Sequence, residues 1–267
     1  MPLLKEIVEV LEKAVPAALA ADWDNAGLQI GDPAAQVKKA LVALDPLPRV
    51  IDEARAMGAG LLVTHHPLFF GAVRSLDLSH GHGAAVRAAI EGGVAVYSIH
   101  TNYDRISPGV SDVLADALGL RDVRPLERAE GWPERYGFGR VGDLPAKRKV
   151  GELMLGLRDE LKAGGVRLSG EPDRTVSRVA VCGGSGSELI GKAAAAGAEL
   201  YVTGDIKYHG ALEALELGMA VLDVGHFASE NYAVPALAER IAGALRESGL
   251  ELDIKISMTQ GEPWSIF

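Results

Sequence analysis

The stretch GAGLLVTHHP, residues 58–67, predicts a buried strand that opens into a loop. Residues 61–63 form a short apolar run of the kind found in strands covered on both faces, and Pro67 cannot continue a sheet ladder. His65 and His66 therefore stand where the strand ends. A loop can turn both imidazoles toward one point, and imidazole is the commonest protein ligand for transition metals. For the pair alone, the alternative is one histidine hydrogen-bonded beneath the loop and one solvated.

The same pattern recurs later in the chain. At a constant offset of 139 positions, residues 197–203 (GAELYVT) fall on residues 58–64 (GAGLLVT) without a gap. A second block, residues 218–221 (GMAV), matches residues 93–96 (GVAV) after a shorter loop. Unrelated strand–helix–strand units would share apolar positions, but not glycine and threonine in register. The sequence therefore predicts an internal duplication.

The elements around each copy predict the fold class. A strand over residues 40–44, a helix over 48–57 and the strand at 61–63 have the lengths of a parallel βαβ crossover. A helix over 84–91 and a strand over 94–99 continue the alternation. We expect an α/β fold of two similar, intertwined α/β halves, each with a mainly parallel sheet flanked by helices.

A composition shift divides the predicted halves. Residues 121–150 are rich in Arg, Glu, Pro and Gly, as domain connections often are. The predicted organisation is a first α/β half over residues 1–125, a connecting segment over 126–150 and a second α/β half over 151–267.

Composition and charge exclude several classes of protein. The single cysteine, Cys182, excludes an intramolecular disulfide and cysteine-rich metal sites, which fits a cytoplasmic protein. The net charge of −9 repels phosphate backbones and disfavours general nucleic-acid binding. We expect no signal peptide, because Lys5 and Glu6 place charges where its apolar region would stand. We expect no membrane partner, because no stretch approaches roughly 18 uninterrupted apolar residues.

Metal-ligating side chains follow the predicted parallel strands in both halves, at the edge where open α/β sheets bind ligands. The candidates are three imidazoles and two carboxylates: His65, His66, Asp104, His226 and Glu230. This nitrogen–oxygen set suits Zn, Mn, Fe, Co or Ni rather than Ca or Mg. Five ligands exceed the need of one tetrahedral zinc and suit two divalent ions sharing a carboxylate, as in two-metal hydrolases.

Three further polar residues could orient ligands or exchange protons with a substrate. We predict His100 and His209 as catalytic and place Asp205 in the same supporting group. The alternatives are a strand-end histidine bonded to backbone, a solvated helix histidine and a helix N-cap, respectively. The loop at residues 22–32 is either solvated or lines a site with its indole, and the GGSGS run at 183–187 is interpreted as a tight turn.

Five motifs in order carry a family resemblance. They are DNAGLQIG at 24–31, THHP at 64–67, HTNYD at 100–104, TGD at 203–205 with the following Tyr-His at 208–209, and GHFASE at 225–230. Together they resemble the Nif-three-like dinuclear metal-centre family, also labelled GTP cyclohydrolase I type 2. The resemblance runs from the first helix to the C-terminus. It implies that His65, His66, Asp104, His226 and Glu230 hold two metal ions, with Glu230 as the bridge, in a toroidal homohexamer.

The resulting functional prediction is a dinuclear metal-dependent hydrolase acting on a nucleotide or similar small substrate. A GTP cyclohydrolase would open the imidazole ring of guanine by attack of a metal-bound hydroxide on C8. The same ligands would serve a phosphoesterase or an amidohydrolase. The alternative, from another class, is a non-catalytic metal-binding hexameric assembly or regulatory protein.

Overall fold

The computed structural model describes residues 1–266, which form a mixed α/β fold, as predicted. The helices are α1 (Leu4–Ala14), α2 (Pro48–Ala56), α3 (Gly81–Gly92), α4 (Thr101–Arg105), α5 (Val110–Ala117), α6 (Val150–Glu160), α7 (Ile190–Ala195), α8 (Tyr208–Glu216), α9 (His226–Asn231) and α10 (Val234–Glu247). Across these described residues, no helix is both long enough and apolar enough to cross a bilayer.

The strands alternate with these helices along most of the chain. They are β1 (Gly27–Ile30), β2 (Lys39–Ala43), β3 (Leu61–Thr64), β4 (Ala95–Ser98), β5 (Arg121–Arg124), β6 (Glu127–Arg128), β7 (Gly137–Phe138), β8 (Arg140–Lys149), β9 (Arg167–Ser169), β10 (Thr175–Ser185), β11 (Leu200–Gly204), β12 (Ala220–Asp223) and β13 (Asp253–Ile256).

The chain divides into two compact units, and neither is one continuous segment. Unit 1 comprises Met1–Tyr103 and Val234–Gly261, and unit 2 comprises Asp104–Ala233 and the described residues from Glu262 onward. This division differs from the predicted boundaries at 125 and 151. The predicted connecting segment, 126–150, contains β6, β7 and β8, which are strands of unit 2. Much of β8 is exposed and polar, so its sequence lacks the apolar alternation that indicates a strand.

Unit 1 contains a five-stranded sheet in the order β1-β4-β3-β2-β13. Strands β2, β3, β4 and β13 run parallel, and β1 is antiparallel to β4 at the edge. Every residue of β3 and β4 is buried, as the apolar run predicts for a covered parallel sheet. Leu62 and Val96 pack in one core cluster with Ile51 of α2 and Val86 of α3. This packing fixes the position of the end of β3, and His65 is the next residue along the chain.

Unit 2 contains a six-stranded sheet in the order β5-β8-β10-β11-β12-β9. Its centre, β10-β11-β12, is parallel, and its outer pairs are antiparallel. Val181 and Val202 belong to a core cluster with Leu157 of α6, whereas Ala180 and Tyr201 belong to a second cluster. Alternate strand residues thus enter different cores, as a sheet covered on both faces requires.

The strand registers of the two units correspond under the offsets found in the sequence. Ala40 of β2 pairs with Leu61 of β3, and the residues 139 positions later, Val179 and Leu200, also pair. Leu61 pairs with Ala95, and Leu200 pairs with Ala220. Each parallel core also has an antiparallel edge strand, β1 or β9. This agreement supports the predicted duplication.

Candidate metal-binding residues

Three histidines of unit 1 converge where β3 and β4 end. The His65 and His66 amides donate to the Ala43 and Leu44 carbonyls, so the ladder continues two residues beyond β3. The ring centroids of His65 lie 5.3 Å from His66 and 5.2 Å from His100. Ligand-capable atoms of these three histidines lie within 4.8 Å of one another. This largely buried cluster could hold a metal ion.

Each of these imidazoles has an oxygen acceptor at Nδ1. His65 Nδ1 lies 2.9 Å from the Ile99 carbonyl. His66 Nδ1 lies 2.8 Å from Asp45 Oδ1, and His100 Nδ1 lies 2.8 Å from Asp24 Oδ1. An acceptor at this position places the proton on Nδ1 and the lone pair on Nε2, the tautomer usual for metal-ligating histidines. The donor set therefore fits a transition metal.

Asp24 is the most strongly held carboxylate near these rings. Its Oδ2 accepts from the Thr101 amide at 3.0 Å and from the Thr101 hydroxyl at 2.5 Å. Burial alone would raise the pKa of Asp24, but the hydrogen bonds and charge of His100 and the bonds from Thr101 lower it to about 2. His100 thus contacts an ionised carboxylate. The alternative stated above, a strand-end histidine bonded to backbone, does not describe this contact.

Unit 2 brings together His226 and Glu230 on α9. Gly225, with φ of 86°, turns the chain after β12 so that the helix begins at His226. His226 Nε2 lies 2.9 Å from Glu230 Oε2, as the i, i+4 spacing predicts. His226 Nδ1 lies 2.7 Å from Asp205 Oδ2. Asp205 therefore orients this imidazole, and the N-cap of α8 is Lys207 instead.

The Glu230 carboxylate lies directly against the backbone of β10. A Cβ atom at Gly184 would stand 2.0 Å from Glu230 Oε1, and Gly184 has φ of +64°. The Gly184 amide donates to Ser229 Oγ at 3.0 Å, and that hydroxyl donates to the His226 carbonyl at 2.8 Å. The glycine-rich run, interpreted from sequence as a turn, therefore continues β10 and forms the wall behind Glu230.

Asp104, at the start of unit 2, shares the surroundings of Glu230. A carboxylate oxygen of Asp104 lies within 4.8 Å of one of Glu230. Burial, followed by the charge of Asp104 and, more weakly, that of Glu230, raises the pKa of Cys182 to about 12. Cys182 is thus a neutral buried thiol and is not a candidate nucleophile.

His209 lies in unit 2 on the exposed surface of α8. It lines a cleft of about 730 Å³ together with Asp205, the orienting partner of His226. Arg167, Lys207 and Ser185 also line this cleft. His209, predicted as catalytic, thus lines the same cleft as an acid that contacts a predicted ligand.

The predicted site residues fall into two sets. Unit 1 gathers His65, His66 and His100, and unit 2 gathers Asp104, His226 and Glu230. That the two sets form one centre stays a prediction. Sequence reasoning missed Asp24 as a partner of His100 and Asp45 as a partner of His66. The signal for Asp24 was its place in the DNAGLQIG motif, whereas Asp45 carried none.

Comparison with known protein families assigns the chain to one of them. The model of the DUF34/NIF3 family, NGG1p interacting factor 3, matches residues 2–263. The chain belongs to this family. A Streptomyces coelicolor relative named GTP cyclohydrolase 1 type 2 homolog is 38% identical, over 99% of this chain and 94% of its own length. A Clostridium acetobutylicum relative of the same name is 30% identical, over 98% and 97%.

Two solved structures share the fold of this chain. A Bacillus cereus protein related to NIF3 matches with a TM-score of 0.94 at 24% identity, covering 100% of this chain and 99% of that one. Reduced HcgD from Methanocaldococcus jannaschii matches with a TM-score of 0.78 at 30% identity, covering 97% and 98%.

Proposed function

We propose that this DUF34/NIF3 chain is a metal-dependent hydrolase in which His65, His66, Asp104, His226 and Glu230 bind two divalent ions. One observation carries the proposal: every imidazole in this set has its Nδ1 against an oxygen, at 2.7–2.9 Å. Such second contacts fix ring orientation and raise ligand basicity. The mixed nitrogen and oxygen donors suit Zn, Mn, Fe, Co or Ni. Glu230, which has two carboxylate oxygens, is the proposed bridge.

Two bound ions would supply Lewis acidity and lower the pKa of water. The chain's own residues would orient the ligands and move protons. His100 is the proposed internal proton carrier, because its Nδ1 lies 2.8 Å from Asp24 Oδ1, a contact that holds the ring beside the predicted ligands. His209 is exposed in the cleft of unit 2 and is proposed to exchange protons with solvent.

The names of the relatives support a nucleotide as the substrate. Both curated relatives above are named GTP cyclohydrolase 1 type 2 homolog. We propose a nucleotide or similar small substrate, with GTP ring opening as the reaction to test first. A homohexamer in the cytoplasm, implied by the sequence resemblance, is part of the same proposal.

A non-catalytic metal-binding assembly or regulatory protein is the second candidate. The family description favours it, because that description names an interacting factor and not an enzyme. The same residues would then hold metal without turnover.

Metal analysis tests the proposed shared centre. Purified protein prepared without chelators should contain about two ions per chain, measured by plasma mass spectrometry. In a shared centre, His66→Ala and Glu230→Ala should each lower the content by more than one ion. If each variant loses only one ion per chain, the two sets are separate sites. A metal content near zero in the wild-type protein contradicts metal binding. The matched controls are His82→Ala and Glu239→Ala, since both side chains are exposed.

Turnover decides between the two candidates. Mn- and Zn-loaded protein should be screened against GTP, other nucleotides and generic phosphoesters. The hydrolase requires activity that falls at least 100-fold in His66→Ala and persists in His82→Ala. Metal-loaded protein without turnover supports the non-catalytic assembly instead. Equal activity in wild type and His66→Ala would identify a contaminant.

A further inference from the structure

Two exposed aromatic side chains of unit 1 flank His100. Trp23 is 64% exposed, and its ring centroid lies 5.9 Å from that of His100, at an interplanar angle of 75°. Phe70 is 53% exposed, and its centroid lies 5.7 Å from His100 at 89°. Phe70 also lies 6.5 Å from the ring of His66. Both rings thus leave most of their surface open to solvent next to the histidine cluster.

A network of amide side chains ties together the two loops that carry these rings. Asn25, two residues after Trp23, donates from Nδ2 to the Phe69 carbonyl at 2.8 Å. Gln29 Oε1 accepts from the Phe69 amide at 3.1 Å, and Gln29 Nε2 donates to the Asn25 carbonyl at 2.5 Å. The backbone beside Phe70 is therefore fixed to the backbone beside Trp23.

Large aromatic side chains normally bury most of their surface, and contiguous exposed apolar surface marks a binding site. Here the fold holds two such rings outward and beside the same imidazole. The side chains of Asn25 and Gln29 hydrogen-bond to the backbone of Phe69, next to one of these rings. Solvent is the costly environment for both rings, so a ligand with a flat apolar face would remove a penalty that the folded protein otherwise retains.

We propose that Trp23 and Phe70 form the platform for a planar heteroaromatic ring of the substrate, a nucleobase in the simplest case, beside His100. Every nucleobase has a π-face that stacks on aromatic side chains. The proposal deepens the proposed function, because it takes the ring to be part of the substrate of that same site. It assigns recognition of the ring to unit 1 and leaves the phosphates to other groups.

Nucleoside binding to metal-free protein tests the platform separately from hydrolysis. EDTA-treated full-length protein is titrated with guanosine, adenosine and uridine, with ribose as the non-aromatic control, by calorimetry and tryptophan fluorescence. Nucleosides lack phosphates, so metal chelation does not contribute. At least one nucleoside should bind and quench fluorescence, and ribose should not. Trp23→Leu and Phe70→Leu should each weaken binding about tenfold or more.

The controls keep folding and stacking apart. Trp264 is 77% exposed and lies outside unit 1, so Trp264→Leu should leave nucleoside affinity unchanged. Trp23→Phe and Phe70→Tyr retain a ring and should restore most of the affinity. Nucleoside binding that is equal in Trp23→Leu, Phe70→Leu and wild type would overturn the platform, as would no binding of any nucleoside to wild type. Ring-dependent binding without any turnover would uphold the platform and reject the hydrolase.

Discussion

At the scale of single residues, the imidazoles of this chain repeat one arrangement. His65, His66, His100 and His226 each place Nδ1 2.7–2.9 Å from an oxygen acceptor. The histidines could be found from sequence, because they follow apolar strands. Of the carboxylate acceptors, Asp205 was among the predicted residues, whereas Asp24 and Asp45 were not, since Asp24 is 76 positions from His100 and Asp45 is 21 positions from His66. Aspartate is also common in turns for unrelated reasons.

Gly184 is a position where any added side chain would disturb the predicted ligand Glu230. In Gly184→Ala the new Cβ would overlap Glu230 Oε1, and φ of +64° is strained for alanine. We expect the variant to lose about 1–3 kcal/mol of unfolding free energy and to bind Zn at least tenfold more weakly. Urea unfolding and competition with a chromogenic chelator measure the two effects.

Gly156→Ala is the matched control for this substitution. Gly156 lies exposed on α6, and nothing stands within 4 Å of its would-be Cβ. Alanine there should stabilise the protein by about 0.5–1 kcal/mol and leave Zn affinity unchanged. Wild-type affinity in Gly184→Ala would show that the Glu230 position is not needed for metal binding.

At the scale of elements, one carboxylate of α2 holds the segment that follows β13. Glu53 accepts from the Ser257 hydroxyl at 2.5 Å, the Met258 amide at 2.9 Å and the Thr259 hydroxyl at 2.8 Å. Burial alone would raise the pKa of Glu53, but these hydrogen bonds outweigh it and the pKa is lowered. The ionised carboxylate therefore stabilises the fold.

Glu53→Gln should lower the unfolding free energy by about 1 kcal/mol at pH 7. Because the pKa is lower in the folded protein, the wild-type advantage is complete above the unfolded value of 4.5 and is lost as pH falls further. Urea unfolding at pH 7, 5 and 3 should show the difference between the variants shrinking at pH 3. Glu91→Gln, at an exposed position of α3, is the control. A difference that is constant with pH would exclude the charge as the cause.

The elements differ in how well sequence alone identifies them. Strand β3 was predictable, because a buried parallel strand is a continuous apolar run. Helix α2, which lies between β2 and β3, was predictable because it is amphipathic. Strand β8 was not, since most of its second half is exposed and charged. The pairing of β13 with β2 was also beyond sequence reasoning, because β13 has only four residues, three of them exposed, and its partner lies more than 200 positions earlier.

At the scale of the whole molecule, the two units differ in continuity. All six strands of the main sheet of unit 2 lie within residues 104–233. The sheet of unit 1 takes β13, and its core takes α10, from the later segment Val234–Gly261. We expect a fragment of residues 104–233 to fold cooperatively and a fragment of residues 1–103 not to. Far-ultraviolet circular dichroism during thermal unfolding distinguishes a sigmoidal transition from a gradual one.

The isolated fragments also have a complementation test. Adding a peptide of residues 234–261 to the 1–103 fragment should restore a cooperative transition, because it supplies the parallel partner of β2. A cooperative transition of the 1–103 fragment alone would contradict the expectation.

Because β13 is synthesised late, the two units are completed in a fixed order during translation. Translation completes the elements of unit 2 while unit 1 still lacks one strand and one long helix. Until residue 256 leaves the exit tunnel, the backbone groups of β2 on that side have no sheet partner. The nascent chain thus carries an open strand edge through the synthesis of more than half its length, and we expect chaperones that bind extended segments to recognise this edge.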